Sequence, residues 1–271
     1  MKRLEEPLRQ KKSLGQVFLT TDWPVSRMIE RLQELRVERV LEIGPGPGIL
    51  TKGLVHAGLR VTAVEKDERW AQRLTENAET LSPDLRGNLK VVRDDILDFD
   101  WQGWIDGGHG RVGIVGNIPY NISTPILLRG INHMRDVAVM MFMTQLEFAA
   151  RAVSGPDSKD FGSLSVFLQL RADCHLEFKV PRSAFHPVPK VDSAVLSLVP
   201  KRERLAEPIL QHAEQVTRLA FMQRRKKLRN SIRQLLDARG GDDGCPIDLE
   251  RRADSLTPRE YIELAQFLFP H

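Results

Sequence analysis

Cysteine is nearly absent from this chain. Its 271 residues include two, Cys174 and Cys245, far apart. That spacing offers neither a disulfide framework nor the clustered thiolates of a zinc site, and no metal is expected. Long apolar runs are missing too. The stretch VAVMMFM at 137–143 is far too short to span a bilayer, so no membrane association is expected. The first sixteen residues, MKRLEEPLRQKKSLGQ, are charged and lack an apolar secretory core. There is no internal repeat and no long low-complexity tract. These absences exclude a disulfide scaffold, a membrane span and a repeat array. They leave a globular chain, expected to be cytoplasmic.

Hydrophobic residues make up 41% of the chain and charged residues 28%. The length suits one large domain, or a medium domain with a small one. The net charge is only +4, so the placement of charge matters more than its sum. Acidic residues are missing from 217–236 (TRLAFMQRRKKLRNSIRQLL). That block holds Arg218, Arg224, Arg225, Lys226, Lys227, Arg229 and Arg233. Read as one helix, Arg225, Arg229 and Arg233 fall at i, i+4 and i+8, with Arg218 two turns earlier on the same stripe. Phe221, Leu228, Ile232 and Leu235 would anchor the neighbouring face. Lys11 and Lys12 belong to a second basic block near the N-terminus. Two such blocks point to a polyanion partner.

Asp22 before Trp23-Pro24 reads as the cap of a helix with proline in its first turn. From there strand-like and helix-like runs alternate as far as residue 153. RVLEIG (39–44), LRVTAVE (59–65), LKVVRDD (89–95), VGIVGN (112–117) and DVAVMMFM (136–143) are the strands, all apolar in character. Alternation with apolar strands predicts a parallel sheet covered on both faces, an α/β Rossmann-like fold. The pattern breaks at 175–200, which carries four prolines with a strand-like run on each side. A late hairpin with a long proline-rich loop is expected there. A boundary near 201–207 would leave a domain of residues 1–202, with its basic segment 1–21, and a small helical domain of residues 203–271.

EIGPGPGILT (42–51) follows the first strand of this series and opens a helix. Gly44 and Gly46 let the backbone approach a ligand at the C-terminal edge of the sheet. The spacing is GxGxG, not the GxGxxG of dinucleotide folds, and the Lys-Ser/Thr of a phosphate loop is missing. A nucleoside without pyrophosphate fits, which means S-adenosyl-L-methionine. Glu65 ends the next strand, where it can accept from ribose hydroxyls. Asp95 ends the strand after that, where it can accept from the adenine amine. Lys66 and Ile96 adjoin these two acids.

The fourth strand of the series runs into GNIPYN (116–121). Adenine N6 is a poor nucleophile because its lone pair is delocalised into the ring. An Asn117 side-chain oxygen and a carbonyl of the Asn117-Ile118-Pro119 turn can each accept one N6 hydrogen. Tyr120 can stack on the base. Catalysis would then be positioning and polarisation. No nucleophilic triad competes with this reading.

At this point the chain resembles the small-subunit rRNA adenine N6,N6-dimethyltransferases of the KsgA type. The motifs KKSLGQVFL (11–19), EIGPGPGILT, VEKD (64–67), RDDIL (93–97), GNIPYNISTPIL (116–127), RSAFHPVPKVDSAVLSL (182–198) and AFMQRRKKLRNS (220–231) carry the resemblance. It implies a class I S-adenosylmethionine-dependent methyltransferase domain with a small C-terminal helical domain that binds rRNA. The implied substrate is a pair of adjacent adenosines in a hairpin loop near the 3′ end of 16S rRNA, each dimethylated, within a small-subunit (30S) assembly intermediate. The protein is expected to act as a monomer. By position, Gly44, Glu65, Asp95 and Asn117 match the family's cofactor contacts, and Val17 and Leu19 match its N-terminal ones. Val17 departs from the usual Asn or His, which leaves only a backbone contact there. Phe185 matches a second aromatic near the target base. The alternatives are a non-catalytic ribosome-assembly or nucleic-acid-binding factor on the same fold, or an adenine-N6 methyltransferase of 23S rRNA or DNA.

Overall fold

The computed structural model describes residues 17–270, so Lys11 and Lys12 lie outside the described residues. In chain order the elements are β1 (Phe18–Leu19), α1 (Trp23–Glu34), β2 (Arg39–Ile43), α2 (Ile49–His56), β3 (Arg60–Glu65), α3 (Glu68–Glu79), α4 (Pro83–Arg86) and β4 (Leu89–Arg93). Next come α5 (Trp101–Asp106), β5 (Val112–Asn117), α6 (Ser123–Gly130), β6 (Val139–Gln145), α7 (Leu146–Val153), α8 (Ser163–Arg171) and β7 (Ala172–Val180). The chain closes with β8 (Phe185–His186), β9 (Ser193–Pro200), α9 (Glu207–Met222), α10 (Leu228–Ser231), α11 (Arg233–Arg239) and α12 (Pro258–Leu268).

Seven strands form one sheet in the order β4-β3-β2-β5-β6-β9-β7. The five from β4 to β6 pair in parallel. All of β2 and nearly all of β5 and β6 are buried, as expected of parallel strands covered on both faces. Parallel pairing brings the C-terminal ends of β2, β3, β4 and β5 to one edge of the sheet. Strand order reverses beside β2, with β3 on one side and β5 on the other. Ligand crevices open at such a switch point. The expected hairpin is present, since β9 and β7 are sheet neighbours. Within its proline-rich loop, β8 pairs antiparallel with β1, matching Leu19 with Phe185.

α1 buries Pro24, Val25, Met28 and Leu32 on one face, with proline tolerated in the first turn. Asp22 precedes this helix, but its side chain makes no capping bond.

Packing divides the chain into two units. One holds the described residues up to Leu146 together with Leu176–Ser197, and the other holds Glu147–His175 together with the residues from Leu198 onward. The division differs from the boundary expected at 201–207. Phe161, Val166 and Leu170 are buried in the same core as Leu210, Val216, Leu228, Ile232, Tyr261 and Leu264. Their apolar faces place 147–175 with the later helices.

The continuous helix expected over 217–236 is not formed. α9 ends at Met222, and Lys227 is extended at φ −62°, ψ 148°. The N–H groups of Leu228 and Arg229 donate to Arg251 O (2.9 Å) and Leu249 O (3.1 Å). Pairing with a distant segment thus takes the backbone donors that a helix would use. Arg218, Arg225, Arg229 and Arg233 therefore do not share one stripe. The apolar anchors are as expected, with Leu228 and Ile232 buried and Phe221 and Leu235 packed against the core.

Candidate active site

The sheet edge opens into a cavity within the first unit. Its lining brings together Val17, Leu19, Gly44, Gly46, Glu65, Lys66, Asp95, Ile96, Asn117, Ile118, Pro119 and Tyr120. Residues spread over a hundred positions of sequence meet here because each sits at the end of an adjacent strand or on β1.

The glycine turn is left-handed where the sequence predicts flexibility. Gly44 has φ +63°, and a Cβ there would meet nothing within 4 Å, so its backbone faces open cavity. Gly46 has φ +52°, and a Cβ there would sit 2.7 Å from the Phe18 ring. The first glycine keeps ligand space clear; the second lets β1 close over the turn.

Glu65 braces that turn. Its carboxylate accepts from Gly46 N–H at 3.0 Å and from Asp67 N–H at 2.8 Å. Burial raises its carboxyl above the ordinary range, while these backbone donors pull it back. Asp95 is held the other way. Its bond to Lys66 Nζ, at 2.5 Å, lowers its carboxyl and raises the lysine. Asp95 also accepts from Leu97 N–H at 3.0 Å.

At the end of β5, Asn117 Nδ2 donates to the Val17 carbonyl at 2.8 Å. A carbonyl only accepts, so the amide must present its NH₂ to Val17 and turn its oxygen elsewhere. The Pro119 carbonyl accepts from Ile122 N–H (3.1 Å) and Ser123 Oγ (3.3 Å), which uses both of its lone pairs. Among the described residues no loop or side-chain donor reaches Asn117 Oδ1 or the Ile118 carbonyl, so both can accept from a ligand. Tyr120 lines the cavity, with its hydroxyl 2.8 Å from Ser193 Oγ. Burial raises its phenol, which keeps it neutral.

One expected residue is not brought in. Phe185 is 2% exposed, is packed beside Leu19 and is not among the lining residues. Its ring serves the core because the β1–β8 pairing turns it inward. One lining residue was not singled out from the sequence. Glu42 is 1% exposed, and its Oε2 has no hydrogen-bond donor among the described residues. Burial pushes its carboxyl up to about 8, the Thr51 hydroxyl and N–H pull against this, and the Glu65 charge adds to it. The available signal was an acid inside the otherwise apolar run at the end of β2. Among the described residues no cluster of metal-binding side chains occurs.

The basic residues of the second unit are partly spoken for. Arg229 is bound to Asp242 (2.5 Å) and Glu250 (3.3 Å), Arg224 to Asp254 (3.2 Å), and Arg233 lies 3.7 Å from Asp237. The Arg218 guanidinium sits 5.7 Å from the Phe167 ring centre. Arg225 and Lys226 are exposed, with no carboxylate at ion-pair distance among the described residues.

The cavity wants a ligand of particular chemistry. Its lining holds four carboxylates, Glu42, Glu65, Asp94 and Asp95, against the single lysine Lys66. That set suits a ligand carrying positive charge and hydroxyl and amine donors, with no pyrophosphate. S-adenosylmethionine has those groups. A parallel sheet with this crevice defines a class I S-adenosylmethionine-dependent methyltransferase. Residues 8–268 match the family model described as ribosomal RNA adenine dimethylase, and the chain belongs to that family.

Ribosomal RNA small subunit methyltransferase A of Francisella tularensis subsp. novicida (strain U112) is 35% identical over 261 residues, 96% of this chain and 98% of the relative. The crystal structure of the 23S rRNA methyltransferase ErmE superposes with a TM-score of 0.70 at 28% identity, covering 93% of this chain and 99% of that one. A dimethyladenosine transferase from Plasmodium falciparum shares the fold, with a TM-score of 0.74 at 22% identity over 91% of this chain and 95% of its own. The enzyme is an S-adenosylmethionine-dependent rRNA adenine dimethyltransferase, as expected.

Proposed function

We propose that the cavity and the Asn117–Tyr120 turn dimethylate N6 of two adjacent adenosines in a hairpin loop near the 3′ end of 16S rRNA. The substrate is a small-subunit (30S) assembly intermediate, and the enzyme acts as a monomer in the cytoplasm during ribosome biogenesis. Among the described residues no helix is long and apolar enough to cross a membrane.

The observation that carries the reading is the Asn117 amide held against Val17 at 2.8 Å. It fixes the direction of the one side-chain acceptor at the end of β5. When bound, S-adenosylmethionine supplies an electrophilic methyl group. Asn117 Oδ1 and the Ile118 carbonyl accept the two N6 hydrogens and draw the nitrogen lone pair out of conjugation. Tyr120 offers its ring face to the base. Glu65 takes the ribose hydroxyls and Asp95 the adenine amine of the cofactor, with Gly44 giving its methionine arm room. Leu19, Ile96 and the Val17 backbone close the apolar wall. The proton leaves once the nitrogen is alkylated, and no strong base is required of the site. In the second unit, Arg225 and Lys226 contribute phosphate contacts.

The test supplies unmethylated small subunits, 23S rRNA and DNA separately with radiolabelled cofactor. Label confined to small subunits, recovered as N6,N6-dimethyladenosine at two adjacent positions, is the expected result. Preferential label on 23S rRNA or DNA overturns the substrate assignment.

A further inference from the structure

We propose that Ser193 is a positioning residue for methyl transfer, its buried hydroxyl holding the axis of the Tyr120 ring in place for the target base. This rests on the reading of Tyr120 as the ring on which that base stacks.

Ser193 opens β9 and is fully buried at the head of a largely apolar strand. A hydroxyl in such a place is costly unless it is hydrogen-bonded. It lies 2.8 Å from the Tyr120 hydroxyl, 73 positions away in sequence, and either group can donate. Tyr120 is half-buried and lines the cavity. Its side chain is thus anchored at the tip while the residue borders ligand space. The phenolic oxygen lies on the ring axis. Fixing that atom fixes the direction of the axis, and with it the first side-chain torsion, leaving only rotation about the axis. A ring held this way is placed for stacking before the base arrives, so little side-chain freedom is lost at the moment of binding.

Ser193 is itself held from two directions. The carbonyl of Asp192, the residue before it, accepts from Leu146 N–H at 3.0 Å, just past the end of β6. The Asp192 carboxylate accepts from Arg182 N–H at 2.9 Å and closes the base of the proline-rich loop. The same loop meets the β1 segment, where Thr20 N–H donates to the Ala184 carbonyl. Val17, on the other side of β1, receives Asn117. The loop therefore braces the Asn117–Tyr120 turn at both ends, Asn117 by way of β1 and Tyr120 by way of Ser193.

The experiment is a double-mutant cycle, read as single-turnover methyl transfer at saturating small subunits and S-adenosylmethionine. Ser193→Ala and Tyr120→Phe each remove one hydroxyl and keep the rest of the side chain. Each should slow transfer by about tenfold, the scale of one such bond. The double variant should be no slower than either single one. Affinity for small subunits should stay within about twofold of wild type, because phosphate contacts dominate it. A spectroscopic arm reads the bond itself. The chain has two tyrosines, and the Tyr261 hydroxyl bonds to the Ala253 carbonyl instead. In protein labelled with carbon-13 at tyrosine Cζ, Ser193→Ala should move one resonance and leave that of Tyr261 in place. Losses that multiply in the double variant, a wild-type rate in either single one, or two unmoved resonances overturn the proposal. If Ser193→Ala does not fold, Ser193→Cys takes its place in the cycle, since a thiol of similar size is a weak hydrogen-bonding group. Tyr120→Ala separates this proposal from the reading beneath it. A wild-type rate there removes Tyr120 from base binding altogether. A severe loss there, with both hydroxyl variants at wild-type rate, strikes only the role of Ser193.

Discussion

Asn117 and Val17 are joined by a 2.8 Å hydrogen bond across a sequence separation of 100 residues. The bond explains how the Asn117–Tyr120 turn tolerates valine at position 17. A backbone carbonyl is supplied by any residue, so the amide is oriented whatever the side chain. Val17→Ala should therefore leave methyl transfer within about threefold of wild type, well below the loss from one preorganised polar contact. Single-turnover rates on small subunits would show it, and a hundredfold loss would mean that the valine side chain itself positions the site.

Asn117→Ala removes both the tether and the acceptor. Its single-turnover rate should fall by roughly 10²–10³, the scale of one preorganised contact. Asn117→Asp should be no milder, because a carboxylate facing the Val17 carbonyl sets acceptor against acceptor. A rate for Asn117→Asp close to wild type would rule out the orientation derived for the amide.

Glu65 does two jobs, bracing Gly46 and lining the cavity. Glu65→Ala should weaken S-adenosylmethionine binding by about 1.5–3 kcal/mol, tenfold or more. Glu65→Gln should not rescue it, since its amide NH₂ would confront one of two backbone N–H groups. Calorimetry decides, and unchanged affinity in either variant removes Glu65 from the site.

Glu42 also makes stability depend on pH. Its carboxyl rises from the ordinary 4.5 to about 8 on folding, so the folded chain binds this proton more tightly than the unfolded one. The contribution is fully present below pH 4.5 and is lost as pH rises through 8. The slope from this group approaches about 1.4 kcal/mol per pH unit inside that window. Glu65, shifted the same way, steepens it, whereas Asp95, shifted down, adds stability that fades as pH falls. Denaturant titrations of ligand-free protein at pH 5.5 to 8 should show wild type losing stability relative to Glu42→Gln. Parallel curves would place the Glu42 carboxyl near its ordinary value.

The broken helix changes which cations to test for RNA binding. Arg225→Ala combined with Lys226→Ala should flatten the log–log salt dependence of small-subunit binding by about 1–2 units. Arg229→Ala should change that slope little, because its guanidinium is engaged by Asp242 and Glu250. A salt titration in which only Arg229→Ala alters the slope would reverse this assignment. Cofactor affinity should be unaffected by the Arg225 and Lys226 changes.

What could be read from the sequence was local. The strand ends at Gly44, Glu65, Asp95 and Asn117 follow from apolar runs closed by turn residues, and the parallel sheet gathers them on one edge. What escaped was set by partners far along the chain. The period of 217–236 is helical, yet Leu228 and Arg229 give their N–H groups to 249–251. Arg229 looked free because its carboxylate partners lie at 242 and 250. Phe185 looked like a ligand contact until its pairing with Leu19 turned it into the core. Glu42 opens the glycine-rich motif, but only its burial distinguishes it from an ordinary strand residue.

The small β1–β8 ribbon has a bearing on synthesis. Thr20 meets Ala184 through its hydroxyl (3.0 Å) and its N–H (2.8 Å), across a sequence separation of 164. β1 supplies Leu19 to the cavity wall, and Val17 beside it receives Asn117. Closing so long a loop costs chain entropy that only late, non-local contacts repay. In a chain still emerging from the ribosome, β1 has no β8 to pair with until the proline-rich loop has been made. The pairing that holds this wall of the cavity can form only after most of the chain has been made.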